Sequence, residues 1–288
     1  MKMIKLHEDK QLFGDSLTFT EAASMFSARL VEKDYYCTVL LDYFAGKVPG
    51  LVFKGGTCLA KVHADFFRLS EDLDFVIPVS LTASRGERQK LAAPVKEVFG
   101  SLPRELPCFS FKTHLTGANK STQYVGEVSY RSLAAGQEEL IKIDVGLREP
   151  LLIPPVALEA RTILLNPSNE RVFLAPVSLP CISLVEAFAE KFRAALSRRE
   201  PAIRDFYDLD YGVRRLGLRP EDPSLARLVR RKMAVPGNGP ADVSAGRLAA
   251  LRDQVESRLK PVLRTKDFDA FDLNRVFKIV AAMAAKIG

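Results

Sequence analysis

The sequence lacks the features that would place it in a membrane, outside the cell or around a structural metal ion. No run approaches about eighteen uninterrupted apolar residues, which argues against a membrane-spanning helix. The N-terminus, MKMIKLHEDKQLF, has neither the apolar segment nor the cleavage site of a secretory signal. The four cysteines stand alone, without the spacing of a zinc site or a disulfide framework: Cys37, Cys58, Cys108 and Cys181. These absences predict a cytoplasmic protein with reduced thiols and no membrane association.

The chain of 288 residues can bury a substantial core in one or two domains, and 47% hydrophobic with 27% charged residues is typical of a globular protein. Its net charge of +7 permits a polyanionic partner without proving one. Many basic residues fall within one short region: Arg193, Arg198, Arg199, Arg204, Arg214, Arg215, Arg219, Arg227, Arg230, Arg231 and Lys232. This region predicts either a surface for nucleic acid or a solvated helical face.

Two halves of the chain differ in pattern. In the first half, segments typical of strands alternate with segments typical of helices. The predicted strands are LVFKGG, LDFVIPV and residues 108–116, 122–130 and 139–147; the predicted helices follow Ser16 or Thr18 as N-caps, begin at Thr57, and cover 82–100. Helices rich in Ala, Leu, Arg and Glu dominate from about residue 182. We therefore expect an α+β domain over 1–155 and a mainly helical domain over 156–288.

The segment LSEDLDF predicts two neighbouring carboxylates. Alternate side chains share one face of a strand, so Asp72 and Asp74 would lie together while Leu73 and Phe75 enter the core. Two ionised carboxylates so placed repel each other and need a compensating cation. Mg²⁺, a hard ion that is often shared with substrate phosphates, meets that need, with Mn²⁺ as an alternative. Taken alone, such a pair is more often the solvated side of an edge strand.

A second predicted strand, ELIKIDVGL, adds a third carboxylate. Ile141 and Ile143 belong to its apolar face, and Asp144 lies on the opposite face. If this strand lies next to the strand of Asp72 and Asp74, three carboxylates converge on one face of a sheet. Two Mg²⁺ ions could then bridge the phosphates of a nucleotide and an attacking hydroxyl.

The glycine turn before the acidic segment predicts a phosphate site. Gly55 and Gly56 would let the backbone approach a ligand closely. Thr57 would start a helix, whose free N–H groups favour phosphate, and its hydroxyl would add a donor. Lys61 lies one turn further on the same helix face, and Lys54 precedes the turn, where it would reach the phosphates or face solvent. A Gly-Gly-Thr sequence alone is usually only a turn; combined with the following Asp-x-Asp, it predicts half of a larger site.

These motifs together resemble a known enzyme family. Gly-Gly-Thr before a helix, an Asp-x-Asp pair and a third Asp on a later strand are similar to the nucleotidyltransferase superfamily that includes DNA polymerase β. More narrowly, KGGTCLAK, RLSEDLDF, EAFAEKFRAAL and RDFYDL resemble the AbiEii/AbiGii toxin family and the related mycobacterial-type tRNA-modifying toxins. These are the enzymes of type IV-like toxin–antitoxin and phage-defence systems. The resemblance covers roughly residues 40–215, with four motifs in the family's order.

The resemblance implies roles for individual residues. The phosphate ligands that it implies are Gly55, Gly56, Thr57 and Ser70. It also implies metal binding by Asp72 and Asp74, within a polymerase β-like mixed sheet flanked by helices. In the later motifs, Lys191 and Asp208 would be catalytic, and Arg204 and Asp205 would bind the nucleotide.

The residues themselves leave two roles open for Lys191. It shares a partly apolar helical face with Leu184 and Phe188, so its ammonium group must find a partner. Asp205 or Asp208 could pair with it in a structural ion pair that joins two helices. Alternatively, Lys191 could contact the nucleotide's phosphates while Asp208 fixes its position or touches the base or ribose.

The implied function is a Mg²⁺-dependent transfer of a nucleoside monophosphate from an NTP to RNA, with the 3′ end of tRNA as the expected acceptor. Asp144 would help to deprotonate the acceptor hydroxyl, and the basic C-terminal helices would hold the RNA backbone. Such a reaction would block aminoacylation and growth, and a separately encoded antitoxin would oppose it. The alternatives are the same active site acting on a protein or on a small molecule such as an aminoglycoside, and a non-catalytic protein that binds NTP or a partner.

Overall fold

Residues 5–288 are described in a computed structural model, so the first four residues of the N-terminal segment considered above lie outside the described part. The chain forms two compact units, which are described separately: unit 1 ends at Ile182, and unit 2 spans Ser183–Gly288. This division lies later in the chain than the boundary expected between residues 155 and 156. The reason is that two further strands after residue 155 complete the sheet of unit 1.

Unit 1 is built on a mixed sheet, which has seven strands within the described residues. They are β1 (Val52–Lys54), β2 (Leu73–Val76), β3 (Phe109–Ala118), β4 (Gln123–Arg131), β5 (Glu138–Gly146), β6 (Val156–Ala160) and β7 (Val177–Cys181). Their order is β3-β4-β5-β2-β1-β7-β6. Strand β2 pairs in parallel with β5, β1 pairs in parallel with β7, and the other neighbours are antiparallel. The three strands expected between residues 108 and 147 match β3, β4 and β5 to within a residue or two.

Ten α-helices occur in residues 5–288. Unit 1 contains α1 (Lys10–Ser24), α2 (Ala28–Phe44), α3 (Gly55–Cys58) and α4 (Arg85–Glu105); unit 2 contains α5 (Leu184–Ser197), α6 (Ile203–Arg215), α7 (Pro223–Met233), α8 (Ala245–Arg252), α9 (Thr265–Asp269) and α10 (Leu273–Ile287). No helix in this part of the chain is long and apolar enough to cross a membrane. The mixed sheet and its flanking helices confirm the α+β fold class.

The two N-caps expected in the first helical region are wrong. Ser16 and Thr18 lie inside α1, where each hydroxyl donates to the carbonyl four residues earlier, at 2.7 and 3.0 Å. The carboxylate of Asp9 caps α1 instead, and the helix ends at Met25 in a left-handed conformation with φ of 64°. A Ser or Thr hydroxyl inside a helix can donate to the carbonyl four residues earlier. Such a residue therefore does not have to stand at the helix N-terminus.

Helix α2 places aromatic and charged side chains inside unit 1. Phe44, its last residue, packs against Phe75 of β2 with ring centroids 5.7 Å apart, and Phe75 contacts Phe53 of β1 at 5.6 Å. The same helix buries Glu32 and Lys33, with exposures of 0% and 6%. Because a buried charge must be paired or hydrogen-bonded, α2 has to make polar contacts with the segments around it.

Glu32 makes such contacts with the connection between β4 and β5. Its carboxylate accepts hydrogen bonds from the backbone N–H groups of Leu133, at 2.7 Å, and Ala134, at 3.2 Å, and from the hydroxyl of Ser132. Three donors on one buried carboxylate hold this turn against α2. The turn predicted at Ala135-Gly136 therefore lies in a segment that Glu32 of α2 holds in place.

Unit 2 is a group of helices that carries the net charge of the protein. Four of its six α-helices begin at side-chain N-caps that accept backbone N–H groups: Ser183, Asp222, Ser244 and Asp272. Residues 183–288 contain 21 Lys and Arg against 14 Asp and Glu, whereas residues 1–182 contain 21 of each. The formal charge of +7 therefore resides entirely in the sequence of unit 2. The helical character predicted for the C-terminal half is confirmed.

Candidate active site

The glycine turn and the acidic strand meet at the ends of β1 and β2. Gly55 follows β1 directly, with φ of 77°, and α3 begins there. A Cβ atom on residue 55 would lie 2.6 Å from the Cβ of Asp74 and 2.7 Å from its carboxyl carbon. A Cβ on Gly56 would lie 2.5 Å from Nη2 of Arg68 and 3.1 Å from Oγ of Ser70. The structure thus brings both glycines, Ser70 and Asp74 together, because the missing side chains make room for them.

Thr57 holds the acidic segment from the helix side. Its side chain is buried, and its hydroxyl donates a hydrogen bond to the backbone carbonyl of Asp72. A hydroxyl has one proton to donate, so this bond uses the donor that the sequence suggested for a phosphate. In this structure Thr57 therefore positions Asp72, which lies just before β2 and is exposed.

Asp74 and Asp144 are direct neighbours in the sheet. They are register partners across the parallel pair β2 and β5, and Lys54 of β1 pairs with Asp74 from the other side. Adjacent strands lie about 4.8 Å apart, and directly paired residues present their side chains on the same face. The expectation that β5 would lie beside the strand of Asp74 is confirmed.

The expected site of three converging carboxylates needs correction. Oδ2 of Asp144 accepts a hydrogen bond from Nε2 of Gln123 at 2.6 Å and lies 3.3 Å from Nζ of Lys142. No group of three His, Cys, Asp or Glu residues in residues 5–288 is close enough to hold a metal ion. An oxygen that already accepts from an amide and an ammonium group is less available to a metal or to a hydroxyl proton. The role of Asp144 as a metal ligand therefore stays a prediction.

Sequence reasoning missed Gln123 and Lys142. Lys142 stands two residues before Asp144 on β5, so both side chains lie on one face of the strand. Gln123 is on β4 and pairs with Gly146 of β5. The spacing of Lys142 and Asp144 was visible in the sequence, whereas the position of Gln123 depends on the register between β4 and β5.

Lys61, expected at the phosphates, is instead a buried structural residue. Its side chain is 1% exposed and its ammonium lies 2.6 Å from Oδ1 of Asp34. The same nitrogen donates to the hydroxyl of Thr38 at 2.7 Å and to the carbonyls of Asp34 and Arg161 at 3.1 and 3.2 Å. All its donors are occupied inside unit 1, so Lys61 no longer belongs to the phosphate site. The expectation assumed regular α-helical spacing after Thr57, whereas α3 is followed by a π-helical turn over Leu59–His63.

In unit 2, the later motif residues form a compact ion cluster. Nζ of Lys191 on α5 lies 2.8 Å from Oδ1 of Asp205 and 2.7 Å from Oδ2 of Asp208, both on α6. Arg198 also pairs with Asp205, at 2.9 Å. The ion pair that the sequence allowed between these helices is present, and 14% of the Lys191 side chain remains exposed. Arg204 lies on α6 and is partly exposed.

Comparison with known proteins then decides the family. The model of the nucleotidyl transferase AbiEii toxin family, of type IV toxin–antitoxin systems, matches residues 39–278. The chain belongs to this family. It is therefore a nucleotidyltransferase of the toxin type, and the family implies an NTP substrate and an antitoxin partner. No curated protein matches the chain.

Two solved structures share the fold of this AbiEii-family chain. JHP933 from Helicobacter pylori is 15% identical with a TM-score of 0.52, and the match covers 91% of this chain and 93% of that one. A candidate nucleotidyltransferase from H. pylori is also 15% identical, with a TM-score of 0.51 and coverage of 91% and 96%. At this identity the likeness shows the fold alone.

Nucleotidyltransferases of the AbiEii kind generally use divalent metal ions, and part of the site fits such an ion. The carboxylate of Asp74 lies against a backbone turn that has no side chain, and Asp72 lies exposed two residues earlier. Mg²⁺ is commonly bound by one or two carboxylates together with substrate phosphates. Asp72 and Asp74 would provide such a set without a third protein carboxylate.

Proposed function

We propose that this AbiEii-family enzyme transfers a nucleoside monophosphate from an NTP to RNA in the presence of Mg²⁺, with the 3′ end of tRNA as acceptor. The observation that carries the proposal is the contact between the Gly55 turn and Asp74, with Ser70 against Gly56. A turn that exposes backbone and a carboxylate in contact with it can hold a triphosphate and its metal ion together. The reaction would take place in the cytoplasm, where loss of tRNA aminoacylation would stop cell growth. We extend the proposal to a role in phage defence.

In this proposal each residue of unit 1 has a defined part. Asp72 and Asp74 hold the ion, while the backbone of Gly55 and Gly56 and the hydroxyl of Ser70 bind the phosphates. When bound, the ion neutralises charge on the transferred phosphoryl group and on the departing pyrophosphate. Catalysis then depends on positioning and electrostatics, which the chain supplies by holding these groups on the ends of two paired strands.

The charge of unit 2 supports an RNA acceptor. Its excess of seven positive charges includes exposed arginines on and before α7, among them Arg219 and Arg227. Contacts to RNA phosphates release counterions, so transfer to RNA should fall steeply with salt. Family resemblance assigns Lys191 and Asp208 to catalysis and Arg204 and Asp205 to the nucleotide. We propose these roles for the four residues, of which Lys191, Asp205 and Asp208 also form the ion cluster between α5 and α6.

The test is incubation of the protein with each α-labelled NTP, Mg²⁺ and total tRNA, followed by a denaturing gel. A label that joins full-length tRNA with one NTP establishes donor and acceptor together. Asp72→Asn should abolish the label and the growth arrest, whereas the matched control Asp65→Asn should retain both, since Asp65 is exposed and pairs with surface Arg161. No transfer to any RNA by the wild-type protein would refute the proposal.

The competing acceptors are outcomes of the same assay. Label that enters total protein, or a small molecule such as an aminoglycoside, would keep the enzyme class and replace the acceptor. Growth arrest that persists in Asp72→Asn would indicate toxicity by sequestration of NTP or of a partner rather than by turnover.

A further inference from the structure

Four charged side chains connect helix α2 to the acidic segment of the candidate site. Glu71 lies between Ser70 and Asp72, and its Oε1 accepts from Nη2 of Arg29 at 2.9 Å and from Nζ of Lys33 at 3.2 Å. Arg29 also makes a two-pronged contact with Glu139, through Nε at 2.8 Å and Nη2 at 2.9 Å. Lys33 lies 3.4 Å from Oε2 of the same carboxylate. Two cations and two carboxylates thus share four ion pairs, and we call them the Arg29 network.

Three of the four side chains of the Arg29 network are shielded from solvent, while that of Arg29 is 41% exposed. The side chains of Lys33 and Glu139 are 7% and 8% exposed, and that of Glu71 is 22% exposed. Buried ion pairs add little net stability, but they penalise any arrangement that separates the charges. A guanidinium also fixes the orientation of the carboxylates that it bridges, because its donors lie in a rigid plane.

The network also has the right position in the chain. Asp72 precedes the first residue of β2, so no strand pairing fixes it. The loop before it contains two consecutive residues with positive φ, Asp65 and Phe66, and has no regular structure of its own. Side-chain contacts therefore help to place Asp72. They include the hydrogen bond from the Thr57 hydroxyl to its carbonyl and the ion pair between Arg29 and its neighbour Glu71.

At its other end the network reaches the strand of the third carboxylate. Glu139 is the second residue of β5, and Asp144 follows on the same strand. Arg29 and Lys33 therefore hold both the segment of Glu71 and strand β5 in fixed positions relative to helix α2.

We propose that Glu71, held by Arg29 and Lys33, is a positioning residue that places Ser70 and Asp72 for binding of the metal–nucleotide complex. This inference rests on the proposed function. Glu71 does not itself contact substrate; it fixes the backbone from which its two neighbours act.

The test compares wild type with Glu71→Gln, which keeps the shape and removes the charge, and with Arg29→Lys, which keeps the charge and removes the bridge. The control is Glu105→Gln, which breaks an exposed pair with Lys47 in the same unit. We expect the Mg²⁺ concentration for half-maximal transfer to rise about tenfold in both network variants, the loss typical when support of a metal ligand is removed. High Mg²⁺ should restore part of the rate, and the control should match wild type.

Binding of Mn²⁺ with a non-hydrolysable NTP, measured by electron paramagnetic resonance, gives a readout that needs no acceptor. Weaker binding in Glu71→Gln and Arg29→Lys, with unchanged circular dichroism, supports positioning. Wild-type Mg²⁺ dependence and Mn²⁺–NTP binding in the folded variants would overturn it. Should Glu71→Gln fail to fold, Arg29→Lys decides, since its side chain is 41% exposed. A wild-type protein that binds Mn²⁺–NTP but transfers nothing would refute the proposed function and leave the positioning test valid.

Discussion

The carboxylate of Asp74 fills the space in which any side chain at residue 55 would have to lie. Gly55→Ala should therefore push Asp74 out of place and abolish nucleotide transfer, in addition to the roughly 1–2 kcal/mol cost of a left-handed alanine. Gly50→Ala is a close control, because Gly50 has φ of 71° and nothing within 4 Å of its would-be Cβ. Transfer assays beside urea unfolding would separate the two costs. Equal losses of activity in both variants would show that backbone strain alone is responsible.

Thr57 offers a test of the hydrogen bond to Asp72. Thr57→Val keeps the shape of the side chain but cannot donate to the Asp72 carbonyl, which would lose this partner. We expect a strong loss of transfer in Thr57→Val and near wild-type transfer in Thr57→Ser, which keeps the donor. A Val variant as active as the Ser variant would show that the bond does not position Asp72.

Lys61 should affect stability and not nucleotide binding. Lys61→Met leaves Asp34 without its 2.6 Å partner in a site where the two side chains are 1% and 4% exposed. Breaking a buried pair by removing one partner costs about 3–5 kcal/mol of unfolding free energy. Lys47→Met, which breaks the exposed pair with Glu105, should cost much less, because exposed ion pairs contribute little to stability. Urea unfolding measures both, and a stable Lys61→Met protein with a raised KM for NTP would return Lys61 to the phosphate site.

The pH dependence of stability should include a contribution from His63. Burial lowers the pKa of this imidazole below 6.5, although its contact with the carbonyl of Ile182 at 3.0 Å opposes the shift. Below pH 6.5 the unfolded chain then binds more protons at this residue than the folded chain, so the free energy of unfolding falls as the pH falls. His63→Gln should reduce this slope between pH 7 and 5, whereas His114→Gln, at an exposed position, is the control. An unchanged slope in His63→Gln would contradict the assignment.

The sequence predicted the parts of the fold that depend on local pattern. Alternating residues located β3, β4 and β5 closely, and the same alternation placed Asp144 on the polar face of β5. The resemblance in the Gly55 turn and in the segment from Ser70 to Asp74 led to the correct family. These features could be predicted because a period of two residues and a glycine turn depend only on residues that are adjacent in the sequence.

Long-range contacts account for the features that sequence reasoning missed. Lys61 looked available because helical spacing gives no indication that Asp34 lies beside it. The network of Arg29 and Glu71 joins residues 42 positions apart, and Gln123 reaches Asp144 only through the register of β4 and β5. Buried partners of this kind depend on tertiary packing, which no local pattern records.

The parallel pairing of Asp74 with Asp144 also bears on when a newly made chain can become harmful to its own cell. About 70 residues separate these partners, which at roughly 5–20 residues per second corresponds to about 4–14 seconds of translation. During that interval β2 has emerged from the ribosome with β1 but without β5, its other neighbour in the sheet, so the sheet around Asp74 is incomplete. An antitoxin made in the same cell therefore has a period of several seconds before each new copy is complete.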